Sequence, residues 1–380
     1  MIAYSRTRYA LYFISTAYAL FANWLLLETG ASAFYRDLAL RLSRSLILQT
    51  SIVLALVTIS TVLIMVPLTY YGGFWLEHHY HLSSQSLFDW LADTAKHIAL
   101  NYGVQLLTLA IFFFLVKNFP TKWPFFLAGI NTPIIIFMLF IAPVVFDPIF
   151  NKFTPMQDCS LKERIVKMLA RAGVKDAPVY VADKSKQTNK LNAYVTGIGG
   201  TARVVIWDNL LKKMPDNQIM AVVGHELGHY RLYHIYIGLA LALLFNFLTI
   251  PINLYLAAPF AAALPDKWHI KGLSDLAIIP AISMVAIFFS FLAAPATNAF
   301  SRLIEHQADE YALAIYGDRE SMANAFVTLS EQNLSEPDPP KFIEFWLFSH
   351  PPLLKRIQFA LKGSASFPHL QSQPEASTQP

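Results

Sequence analysis

Six separate runs of about 20 or more mostly apolar residues, at 9–28, 45–71, 98–117, 123–148, 234–260 and 275–299, leave this chain few ways to fold. In hydrocarbon every backbone N–H and C=O must be satisfied within the protein, so runs of this length cross a bilayer as helices. Only 14% of the 380 residues are charged and 55% are hydrophobic, against about 25% charged in soluble domains. A soluble fold could not hide that much apolar surface. The first run is too long, and its end too poor in small residues, to be a cleaved secretory signal, and it reads as a retained helix. The expected fold is therefore mainly α: a polytopic membrane helix bundle of about six spans.

Just ahead of the fifth run stands His225-Glu226-Leu227-Gly228-His229. Residues four apart lie on one face of an α-helix, so both imidazoles can reach one tetrahedral metal while Glu226 sits beside them without occupying a ligand position. Cys159 is the only cysteine, which excludes an internal disulfide and a cysteine-rich cluster, so a metal here must use His and carboxylate. Catalytic zinc normally takes three protein ligands and leaves one position for water. Glu305 and Asp309, four apart on the helix that continues from the sixth run, supply the remaining candidates. Glu305 is assigned as the third ligand and Asp309 as the acceptor that holds a ligand imidazole by its other nitrogen. His306, turned about 100° from Glu305, is a poorer candidate. The chemistry expected is one Zn2+ per chain lowering the pKa of its bound water towards about 7, with Glu226 as the general base that later protonates the leaving amine. His234, five residues past His229, should turn off the metal face into a structural or interfacial role. With no proline between Asp216 and Pro251, the metal motif and span five should form one rod of about 50 Å.

These motifs divide the chain. Residues 1–148 hold spans one to four, and 149–233 form a polar block entering the metal helix. That block is read as a small α+β hairpin element, with a helix over 160–173, strands at 179–181, 192–196 and 203–207, and a turn at Gly197, Gly199 and Gly200. Spans five and six occupy 234–299. Residues 300–362 carry the third-ligand helix and a C-terminal catalytic segment with helices at 318–331 and 352–362, and 363–380, rich in Ser, Pro and Gln, is expected to be a disordered tail.

His225 to His229, the Ser301-Arg302-x-x-Glu305-x-x-x-Asp309 segment, Asn192-Ala193-Tyr194 and His350-Pro351-Pro352-Leu353-Leu354-Lys355-Arg356 together resemble the type I CAAX prenyl proteases, membrane-embedded zinc metallopeptidases. Leu76-Glu77-His78-His79-Tyr80-His81-Leu82 and Asp147-Pro148-Ile149-Phe150-Asn151-Lys152-Phe153-Thr154-Pro155 resemble two further family segments. The resemblance spans about residues 45–360. It implies a water-filled chamber between the helices with the metal site at its cytoplasmic end, and cleavage near the C-terminus of prenylated peptides. It also implies that Asn192, Ala193 and Tyr194 offer an edge strand to the substrate backbone, that His350 stabilises the oxyanion, and that Arg356 braces the site through a carboxylate. The short polar block and the six spans point to a bacterial-type member, in an inner membrane.

Two other readings compete. A membrane-protein quality-control metalloprotease would keep the chemistry but cut non-prenylated substrates. A transporter with a structural metal is opposed by spans that carry almost no mid-depth charge and no inverted repeat. The net charge of +4 is scattered rather than gathered in a patch, so nucleic acid is not expected, and the partners are a peptide or protein substrate and membrane lipid. Four spans ahead of the polar block put both termini and the block on one side, and the positive-inside rule favours the cytoplasm. Sequence leaves the oligomeric state open.

Overall fold

The computed structural model describes residues 1–140, 142–174, 177–197, 202–363 and 367. Gly199 and Gly200 of the expected turn, and the expected disordered tail beyond Gly363 apart from Phe367, lie outside the described residues. The membrane half begins with α1 (Ile2–Glu28), α2 (Ala31–Leu42) and α3 (Leu46–Tyr70), which passes through a π-helical turn, Tyr71–Trp75, into α4 (Leu76–His79). It continues with α5 (Leu87–Asn118), α6 (Trp123–Phe140) and α7 (Ala142–Phe150). The polar block contributes β1 (Phe153–Pro155), α8 (Ser160–Arg171), β2 (Val179–Ala182), β3 (Ala193–Thr196), β4 (Arg203–Trp207) and α9 (Asp208–Lys213). Then follow α10 (Asp216–Arg231), α11 (His234–Ala262), α12 (Ile279–Tyr316), α13 (Arg319–Asn333), α14 (Lys341–Leu347) and α15 (Leu353–Lys362).

Six helical stretches are long and apolar enough to cross a membrane: Ile2–Glu28, Leu46–His79, Leu87–Asn118, Trp123–Phe140, His234–Ala262 and Leu276–Tyr316. Lipid tails are as apolar as leucine, so such helices have no need to bury their hydrophobic faces in protein. α11 is the extreme case, burying only His234 and turning Phe245 and Tyr255 outward.

The polar block follows the opposite rule. Its sheet has the order β1-β2-β4-β3, with β2 parallel to β4 and the two outer pairings antiparallel, which leaves β3 on the edge. α8 lays Leu161, Ile165, Met168 and Leu169 against this sheet and against Ile219, Val223 and Leu227 of α10, in one core with Val204 and Ile206. Each such aliphatic side chain stabilises the block by roughly 1.5–3 kcal/mol when fully buried. The core thus fixes α10, and with it the metal motif, to the sheet.

Three expectations are corrected. The metal motif and span five are not one rod: α10 ends at Arg231, and Tyr233 adopts a left-handed conformation, φ 57°, before α11 starts at His234. A fourth strand, β1, joins the sheet; at three residues ending in Pro155 it is too short to carry a period-two pattern. Between the last two expected helices, 318–331 and 352–362, a further helix, α14, follows Pro337, Pro339 and Pro340. α12 runs past Pro295 to a left-handed stop at Gly317, φ 80°.

Candidate metal centre and substrate cleft

Small residues bring together the two helices that carry the candidate metal donors. A Cβ built on Gly228 would lie 3.0 Å from the Ala308 backbone, and one on Gly224 would lie 3.6 Å from the Ala312 Cα. Glycines four apart on α10 thus face alanines four apart on α12, which lets the helices approach closely. That approach sets His225 and His229 opposite Glu305.

Their donor atoms all lie within 4.8 Å of one another. His225 Nε2 is 3.2 Å from Glu305 Oε2, His229 Nε2 is 3.3 Å from Glu305 Oε1, and the two Nε2 atoms are 3.2 Å apart. Oε2 of Glu305 is buried without a hydrogen-bond partner, a costly arrangement for a carboxylate oxygen unless a cation completes it. Two facing imidazole nitrogens and an under-satisfied carboxylate fit a divalent ion. The electrostatics agree: burial alone would depress His225, yet the Asp309 carboxylate, which accepts from its ring, and the Glu305 carboxylate 3.2 Å away hold its imidazole up to about 9, so the pocket favours positive charge. Burial pushes the neighbouring Glu226 carboxyl up.

Outside this ring the two imidazoles are held differently. His225 Nδ1 donates to Asp309 Oδ1 at 2.8 Å. The same carboxylate accepts two bonds from the buried Arg356, Nε to Oδ2 at 2.8 Å and Nη2 to Oδ1 at 2.7 Å, and the guanidinium lies over the Phe326 ring. His229 Nδ1 instead meets His234 Nδ1 at 2.9 Å, and His234 Nε2 lies 3.2 Å from Gln307 Oε1. His234, expected to turn off the metal face, instead contacts the candidate ligand His229, because the break at Tyr233 returns it to the face that a continuous helix would have turned away, and its structural role is to support that ring. His306 packs on Phe359 and lies 3.5 Å from Glu310, away from the three donors.

A cavity of about 400 Å³ opens onto this centre and is lined by Glu226, His225, Asn192, His350 and Arg356, among others. His350 Nε2 is 3.3 Å from Glu305 Oε1, and its Nδ1 lies 2.9 Å from the Ser349 hydroxyl. Its side chain is 55% exposed to the cleft, and a neutral ring there has one N–H to donate. Of the three edge-strand residues only Asn192 lines the cavity: Ala193 is buried, and the Tyr194 hydroxyl donates to Asp147 Oδ2 at 3.0 Å. One residue that holds the site carried no role in the sequence reading: Arg302, one turn before Glu305, whose Nη1 donates to the carbonyls of Glu344 (3.0 Å) and Phe348 (2.6 Å) and so ties the His350 segment to α12.

Residues 155–363 match the model of peptidase family M48, and residues 1–152 match the CAAX prenyl protease N-terminal model of five membrane helices. Four of the six candidate spans lie in that second stretch. The chain is 32% identical over 359 residues to an uncharacterized metalloprotease, YhfN, of Bacillus subtilis, covering 94% of this chain and 84% of that one. It is 28% identical to CAAX prenyl protease 1 of Saccharomyces cerevisiae, over 82% of this chain and 72% of the relative. The crystal structure of S. mikatae Ste24p superposes with a TM-score of 0.80 at 26% identity, covering 95% of this chain and 87% of that one.

Proposed function

Since the chain belongs to peptidase family M48, as a membrane metalloendopeptidase of CAAX prenyl protease type, we propose that it uses one zinc ion to cleave peptide bonds near the C-terminus of prenylated peptides. The observation that carries this reading is the convergence of the His225, His229 and Glu305 donors on a cleft that Glu226, Asn192 and His350 also line. Two imidazoles and one carboxylate are a familiar catalytic zinc set, with a position left open. Zinc held there supplies a water of lowered pKa and polarises the scissile carbonyl.

The chain's own groups do the rest. Glu226, one residue past His225 and free of ligand duty, accepts the proton of the attacking water and returns it to the leaving amine. The N–H of His350 stabilises the negative charge that develops on the carbonyl oxygen. Asp309, clamped by Arg356, keeps the hydrogen of His225 on Nδ1 and its lone pair on Nε2. The free edge of β3 pairs with the substrate backbone.

We further propose a bacterial inner membrane, with the cleft facing the cytoplasm. The lysines and arginines of the polar block support that orientation, while Arg36, on the opposite loop, is already neutralised by Asp275.

The test is Glu226→Gln assayed on one peptide with and without its prenyl chain. Zinc content should stay near one per chain while cleavage falls by at least about 10³-fold. Cleavage by the variant at the normal rate would remove Glu226 from its role. Equal wild-type turnover of both peptides would favour the quality-control reading.

A further inference from the structure

We infer that Asn333 ends the substrate-binding edge of β3 and so limits how far a peptide can extend beyond the scissile bond on its C-terminal side. The inference rests on the peptidase reading above and concerns how that enzyme measures its substrate.

The argument starts from the ladder. β3 and β4 pair antiparallel with Ala193 opposite Ile206, and the Trp207 N–H donates to the Asn192 carbonyl at 3.1 Å. Backbone groups alternate sides along an antiparallel strand. Asn192, Tyr194 and Thr196 therefore turn their N–H and C=O towards β4, while Leu191, Ala193 and Val195 turn theirs to the free edge.

An incoming peptide would use those outward groups: the Ala193 N–H is held only by the side chain of its own neighbour, Asn192 Oδ1 at 2.9 Å, which a peptide carbonyl can replace, whereas the Leu191 pair is taken by a residue of another element. The Leu191 N–H donates to Asn333 Oδ1 at 2.8 Å, and Asn333 Nδ2 donates to the Leu191 carbonyl at 3.2 Å. One side-chain amide thus fills both slots that a further strand residue would need. Asn333 and Leu191 both line the catalytic cavity, so this plug stands at one end of the cleft.

The plug is held in place by the fold. Asn333 is the last residue of α13, and Leu334 after it is left-handed at φ 53°, a conformation that costs a residue with a Cβ. Ser335 N–H closes back on the Ser330 carbonyl at 2.9 Å, and Ser5 of α1 donates to the Leu334 carbonyl at 2.9 Å. A strand added antiparallel to β3, as β4 is on its other side, runs from Thr196 towards Leu191. Its C-terminal end therefore arrives at Asn333. A cleft closed there favours cutting a short, fixed number of residues from a chain end, which a peptide passing straight through would not require.

The experiment compares kcat/KM for a cleaved peptide and for the same peptide lengthened by two residues at its C-terminus, in wild type, Asn333→Ala and Asn333→Asp. The ratio of the two values cancels any general loss of activity or folded fraction. Wild type should discriminate against the longer peptide by about tenfold or more. Asn333→Ala should shrink that factor by about fivefold, the size of one or two backbone hydrogen bonds regained, with the change in KM, and N-methylation of the added residue that meets Leu191 should restore the discrimination. Asn333→Asp, which keeps the acceptor for the Leu191 N–H and loses the donor, should fall between. The same length discrimination in all three proteins, or a change confined to kcat, would overturn the inference. Absence of wild-type cleavage of the parent peptide would instead fail the peptidase reading itself.

Discussion

Two buried arginine–aspartate pairs sit near opposite ends of α12, Arg36 with Asp275 just before its start and Arg356 with Asp309 about 45 Å along it by helical rise. Each is close, at 2.7 Å, and each joins segments far apart in sequence. They differ in where the rest of the carboxylate goes. Asp275 also accepts the N–H groups of Lys271 and Ala277, so the rest of this carboxylate closes a backbone turn, while Arg36 reaches the His269 carbonyl and the Asp37 carboxylate. Asp309 gives its remaining capacity to the His225 ring. The same ion pair therefore fixes a loop at one end of the helix and the tautomer of His225 at the other, and the third partner decides which.

The largest effect expected at the metal end separates chemistry from metal holding. His350→Ala should slow turnover about 10²-fold to 10³-fold with metal still bound, and an unchanged rate measured at saturating substrate would take His350 out of the site. Next comes the comparison itself. Asp309→Asn should weaken metal affinity about 10-fold to 100-fold, read by competition with a chelator. Asp275→Asn should leave that affinity alone and instead lower thermal stability, by up to about 3 kcal/mol, because it leaves the buried Arg36 with only the half-exposed Asp37 as a charge partner. If both variants lost metal equally, the two pairs would be doing one architectural job and the contrast would fail.

How much of this could be read in advance depended on the range of the interaction. The spans were legible because a bilayer imposes length and apolarity on a run of residues, whatever its neighbours. The group of His225, His229 and Glu305 was legible because both pairs of relevant positions, 225 with 229 and 305 with 309, sit at helical spacing. β1 was missed because three residues carry no period, and α14 because three prolines masked the helix that follows them. The bend at Tyr233 was missed for another reason. Nothing in Arg231-Leu232-Tyr233-His234 breaks a helix by propensity, so the left-handed residue is imposed by tertiary packing. Asn333 was invisible for a similar reason, since its partner, Leu191, lies 142 residues away.

The bend at Tyr233 sets up the smallest and most discriminating prediction. If His229 gives its Nε2 lone pair to the metal, its Nδ1 carries hydrogen and donates to His234 Nδ1, and His234 must then carry its own hydrogen on Nε2, aimed at Gln307 Oε1. His229 is therefore backed by a neutral acceptor, whereas His225 is backed by a carboxylate. A neutral acceptor raises ligand basicity less, so His234→Leu should weaken metal binding by about tenfold or less, at the bottom of the range for such supports. Asp309→Asn should exceed it. A loss larger than that of Asp309→Asn would mean that His234 contributes more than orientation, and no loss at all would mean that the chain from His229 to Gln307 does not set the tautomer. The first result would reverse the ranking of the two imidazoles, and the second would keep the ranking but remove the cause given for it. The expected one makes His225, with Asp309 and Arg356 behind it, the anchor of the centre, and His229 the weaker, more adjustable ligand.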